Sequence, residues 1–168
     1  MNIKKYQILG AIFTIILGSI LHFTYSWTNE NIFVGFFSPI NESTWEHLKM
    51  IITPMLIFSI FEYFKYGKYI ENFFSIRALS IIIGMFLITS LFYTYSSVIG
   101  KNFLVIDISI FIISVILSYL FSYIFFKKNF LTSNNANFIG LISIFILIFA
   151  MIYFTTNPIN IPLFISPF

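Results

Sequence analysis

No cysteine occurs in these 168 residues, which excludes disulfides, thiolate metal ligands and thiol nucleophiles in any compartment. Charge is almost as scarce. Only 9% of the residues are charged, against about a quarter in a soluble domain, so water is not the solvent that most of this chain meets. The patterns H-E-x-x-H, H-x-x-x-H and G-x-S-x-G are absent, so no established hydrolase signature is present. There is no convincing internal repeat. The formal charge of +3 is small and reads as a trace of membrane orientation rather than of nucleic-acid binding.

What is present is overwhelmingly apolar: 59% of residues are hydrophobic and 21% aromatic, with 24 phenylalanines. A soluble protein of this composition could not avoid large exposed apolar patches. A bilayer removes that difficulty. Crossing its hydrocarbon takes about 20 apolar residues in a helix, and five stretches qualify, at about 6–27, 45–65, 78–98, 103–126 and 138–155. The expected fold class is therefore all-α, a polytopic helix bundle forming a single transmembrane domain over 1–168. The first stretch is long for a signal-peptide core and leads into Tyr25-Ser26-Trp27 rather than a small-residue cleavage site, so it reads as an uncleaved anchor.

Basic residues gather in three segments that lie on one side if the spans alternate. These are Lys4 and Lys5, then Lys65, Lys68 and Arg77, then Lys127 and Lys128. Lys49 and Lys101 lie opposite. The positive-inside bias then places the N-terminus in the cytoplasm and the C-terminus outside, as expected of a multi-pass cell-membrane protein. Segment 32–40 is apolar but too short to span, and its Gly35 and Pro39 suit an interfacial or folded-back piece. The tail carries Pro158, Pro162 and Pro167, which excludes a regular helix and suggests an extended run along the interface. Segment 132–137 reads as a plain cytoplasmic loop.

With these spans, both histidines and four of the six acidic residues fall on the outer side. His22 lies near the outer end of the first span. Asn41, Glu42, Trp45, Glu46, His47 and Lys49 enter with the second, and Asp107 begins the fourth. Ionisable groups at membrane depth are costly unless paired or hydrated, and they usually face an interior or a cavity. Ser43 and Glu46 also fit a capping box, Glu46 and Lys49 can pair, and Trp45 suits an aromatic belt. Capping does not require His47, however, nor does it account for His22 and Asp107 at similar depth. His22, Glu46, His47 and Asp107 are the expected acid/base or metal-ligating groups, with Asn41, Glu42, Trp45 and Lys49 as substrate-binding neighbours. Glu42, Glu46 and Asp107 against Lys49 leave an excess of negative charge, to be met by protonation, by water or by a divalent metal such as zinc. Away from this cluster, Glu62 is expected to snorkel or pair with Lys65. Pro54 is expected to kink the second span, and Ser109, Ser114, Ser118 and Ser122 to serve helix contacts.

The string Asn41-Glu42-Ser43-x-Trp45-Glu46-His47-x-Lys49, the upstream His22-Phe23-x-Tyr25 and the proline-rich ending resemble a family of small bacterial integral membrane proteins of unknown function. The resemblance covers most of the chain. It implies that the residues of the string act as a unit with His22, and it implies no reaction. Three roles remain open: an intramembrane enzyme or metal-binding protein acting on a lipid or envelope substrate; a small transporter; and a non-catalytic subunit that binds a membrane partner or a second copy of itself. A transporter should continue its polar path into the other half of the bilayer, where the sequence offers mainly Glu62 and scattered serines.

Overall fold

A computed structural model describes residues 2–166; Pro167 lies outside the described residues. Among them the structure is all-helical, with six α-helices: α1 (Ile3–Trp27), α2 (Ile32–Gly35), α3 (Thr44–Lys65), α4 (Phe73–Ile99), α5 (Leu104–Phe125) and α6 (Asn134–Thr156). All but the single-turn α2 are long and apolar enough to cross a membrane. At 1.5 Å per residue, 22 residues reach about 33 Å, enough for a hydrocarbon core of about 30 Å.

Burial is inverted relative to a soluble protein. Ile16, Phe86, Phe145 and Phe149 are exposed, whereas Lys49, Glu62, Arg77, Ser114, Ser118 and Ser122 are buried. The cause is solvent: lipid accepts apolar side chains, so polar ones must find partners inside. α3 and α4 are the most enclosed spans. α3 packs on α1 and α4, while α5 and α6 cover the other faces of α4.

Close approach needs small residues. Pro54 in the middle of α3 cannot donate to the Met50 carbonyl four residues earlier, and Gly18 of α1 rests against that carbonyl, where a Cβ would overlap it. At the end of the bundle that carries the N-terminus, Gly140 of α6 meets the backbone of Ser75 on α4 in the same way. Of the serines on α5, 114, 118 and 122 are buried at fourfold spacing, but Ser109 is exposed and returns its hydroxyl to Val105 O.

Several expectations are corrected. The third span begins at Phe73, five residues earlier than the hydropathy suggested, and contains Arg77 rather than leaving it in a loop. Arg77 is tolerated there because Glu62 of α3 ion-pairs with it. Glu62 therefore serves Arg77 and not Lys65, which lies over the Phe61 ring. Gln7 and Tyr66 donate to the same carboxylate, so the charges are enclosed by hydrogen bonds from three elements. The 132–137 stretch is not a plain loop. α6 starts within it, capped by Ser133, and Asn137 Oδ1 accepts from Phe74 N at 2.8 Å at the start of α4. The tail is not wholly extended either, since Pro162–Phe164 forms a 3₁₀ turn and Phe164 is buried against Trp45.

Candidate metal site at the far end of the bundle

The site lies at the end opposite the N-terminus, where α1 finishes and α3 begins. α3 starts at Thr44 because Ser43 takes the N-cap position, its hydroxyl accepting from Glu46 N at 3.4 Å. The reciprocal half of the capping box is not made, since Asn41 Oδ1 takes Ser43 N at 2.9 Å. Glu42 thus precedes the helix and is not part of the helical face that carries Glu46 and Lys49. It is free to fold across the first turn. Its Oε2 lies 3.3 Å from His47 Nε2.

His47 is oriented from behind. Its Nδ1 is 2.9 Å from the Ser43 carbonyl oxygen. A carbonyl only accepts, so Nδ1 carries the proton and Nε2 is the ring nitrogen turned towards Glu42. This is the arrangement metal-binding histidines commonly show, with the remote nitrogen donating to a backbone carbonyl. Across the helix interface, the His22 ring of α1 stands 5.2 Å from that of His47, centroid to centroid. His22 Nδ1 is buried with no hydrogen-bond partner among the described residues. One ligand atom from each of His22, Glu42 and His47 falls within 4.8 Å of the others. The Glu42 side chain is 59% exposed and that of His47 29%, so the cluster opens to the aqueous edge instead of being sealed in the bundle.

The remaining candidates sit nearby in other roles. Glu46 Oε2 accepts from Lys49 Nζ at 2.6 Å and from Ile40 N at 2.9 Å. Lys49 is fully buried and also donates to Gly35 O at 2.7 Å and Thr155 Oγ1 at 2.6 Å. This lysine pins the 32–40 segment over the bundle and ties α3 to the end of α6. Trp45 packs between Phe154 and Phe164, 5.4 and 4.9 Å away by ring centroid. Asp107 lies in the first turn of α5, where a carboxylate suits the helix dipole, and accepts the hydroxyl of Tyr95. The group whose donor atoms come close enough to hold a metal ion is His22, His47 and Glu42, while Glu46 hydrogen-bonds Lys49 and Ile40 N and Asp107 hydrogen-bonds Tyr95. The sequence reading named Glu42 as a substrate-binding neighbour; the structure brings its carboxylate to His47.

Over residues 1–167 the chain matches the family described as Family of unknown function (DUF6512). The chain belongs to this family. No curated protein and no solved structure matches it, so for this DUF6512 member the chemistry has to be read from the site.

The donors present suit a borderline cation. Two imidazoles and a carboxylate are ligand types that zinc takes in open sites with three protein ligands. Ligands about 2.0–2.1 Å from a tetrahedral ion stand about 3.3 Å apart, which is the spacing of His47 Nε2 and Glu42 Oε2. On a neutral His47 ring these two atoms are both acceptors. Something positive between them would turn repulsion into attraction, either a proton on His47 or a metal ion.

Proposed function

We propose that this is a multi-pass cell-membrane protein that binds a divalent metal such as zinc at its outer end through His22, Glu42 and His47. The observation that carries the reading is the orientation of the His47 ring, with Nδ1 held by Ser43 O and Nε2 left 3.3 Å from the Glu42 carboxylate. The orphaned His22 Nδ1 supports it, because a buried ring nitrogen without a partner loses about 1–3 kcal/mol of hydrogen bonding, and a place in a ligand set would account for the ring. Three protein ligands leave a position open, and a metal so held supplies an activated water. The role that follows is metal-dependent hydrolysis of a lipid or envelope substrate at the outer surface. Lys49, Glu46, Trp45 and Asn41 act as the scaffold that fixes the first turn of α3.

The outer placement rests on the lysines. Once buried Arg77 and Lys49 are set aside, Lys4, Lys5, Lys65, Lys68, Lys127 and Lys128 are exposed at the N-terminal end of the bundle and Lys101 at the other. That sharpens the positive-inside bias. The transporter reading gains nothing from the polar group around Glu62. Along α3, Ile51, Ile52 and Met55, all buried in the apolar core, stand between Lys49 and Glu62, which are about 20 Å apart along the helix.

Elemental analysis of protein purified in detergent and equilibrated with zinc provides the test. About one zinc per chain is expected, with His22→Ala, His47→Ala and Glu42→Gln each weakening binding at least tenfold, since even outer-shell changes cost about 10–100-fold. Zinc retention unchanged by all three substitutions would refute the site. No zinc at all, with His47 found doubly protonated beside Glu42, would replace it with a simple ion pair.

A further inference from the structure

At the N-terminal end of the bundle a groove of ≈ 540 Å³ runs between α1 and α5, within the range of roughly 300–1,000 Å³ that holds small molecules. Its walls are apolar, made by Ile8 and Ile12 of α1 with Ile116 and Leu120 of α5. Its mouth is polar and of one sign. Lys4 lines it, together with Tyr123, whose hydroxyl accepts from Lys127 Nζ at 2.8 Å. No aspartate or glutamate lines the groove, and neither Lys4 nor Lys127 is ion-paired among the described residues. Beside the mouth, an adjoining recess of ≈ 290 Å³ shares Lys4 and Ile8 and adds Lys5. Gln7, 3% exposed, also lines the groove, and its Oε1 has no donor among the described residues.

An apolar channel at hydrocarbon depth that ends in unpaired cations at the surface matches one kind of molecule, an anionic amphiphile. We propose that the groove is a binding site for an anionic glycerophospholipid. Its phosphate lies between Lys4 and Lys127, and one acyl chain follows Ile8, Ile12, Ile116 and Leu120. A headgroup hydroxyl, as in phosphatidylglycerol, supplies the donor that Gln7 Oε1 lacks. Basic pockets between transmembrane helices bind anionic headgroups by this combination of charge and depth. The site is independent of the metal cluster, which lies at the other end of the bundle.

Native mass spectrometry of the full chain in detergent, titrated with phosphatidylglycerol and with phosphatidylcholine, tests the assignment. Phosphatidylglycerol is expected to be retained about tenfold more strongly. Lys4→Gln/Lys127→Gln should reduce that preference to about twofold or less. Lys65→Gln/Lys68→Gln removes the same charge from the same end but outside the groove, and should leave the preference intact. Ile12→Trp, which fills the groove, should lower phosphatidylglycerol binding without touching a charge. All four lysines are exposed, so the double variants put no buried group at risk. Equal retention of the two lipids by the wild type would overturn the proposal. So would equal losses from the two double variants, which would mean diffuse surface charge, or unchanged binding in Ile12→Trp.

Discussion

Arg77 and Lys49 lie wholly inside the bundle, each facing a carboxylate. Neither could remain in an apolar interior alone, because an unpaired buried charge costs several kcal/mol. Arg77→Met should therefore destabilise the protein by about 3–5 kcal/mol by stranding Glu62, and Glu62→Leu should do the same by stranding Arg77. The double variant should recover most of that loss in thermal unfolding in detergent. Additive losses in the double variant would show that the pair is not the unit it looks like. The two ion pairs differ in how far the sequence revealed them. Glu46 and Lys49 are three residues apart on one helix, so their pairing follows from helical spacing. Glu62 and Arg77 are fifteen apart across a turn, and any hydropathy reading ends a span at an arginine. Only the opposing glutamate makes that arginine acceptable within the helix, and the sequence does not display the opposition.

The apolar runs marked the five spans to within a few residues at most ends, because lipid imposes length and hydropathy on each helix separately. Less legible were the polar residues that join one element to another. Asn72 Nδ2 donates to Phe125 O, Lys128 O and Phe130 O, and Asn137 caps α4 from the first turn of α6. Both look like ordinary loop residues, since a cap acting across two helices leaves no periodic mark. The shared start of α4 and α6 depends on Gly140, where a Cβ would overlap Ser75. Gly140→Val should cost about 1–3 kcal/mol by forcing the helices apart, read as a lower unfolding temperature in detergent. An unchanged midpoint would mean that the α4–α6 contact is looser than described. The histidine–carboxylate cluster shows the same limit of periodicity. His47 was legible as a residue that capping does not require, but Glu42 reaches it only because the helix starts two residues after Glu42.

At the scale of the whole molecule the protein has two polar ends joined by an apolar middle. One end carries six exposed lysines and the sealed Glu62–Arg77 network, the other an open histidine–carboxylate cluster. On that division rests the proposal that the lysine-bearing end is cytoplasmic and the other external. Single cysteines at Lys101 and Lys128 in this cysteine-free chain should react with an impermeant thiol reagent from opposite sides, Lys101 from outside. Labelling from the same side would break the five-span topology, and reversed labelling would move the cluster to the cytoplasm. The central claim is that the cluster holds a metal through two imidazoles and one carboxylate, and zinc K-edge X-ray absorption on the loaded protein tests it most directly. The account predicts imidazole scattering from two histidines at about 2.0–2.1 Å with oxygen in the remaining positions, reduced to one histidine in His22→Ala. An all-oxygen shell, or a spectrum unaltered by His22→Ala, would contradict it.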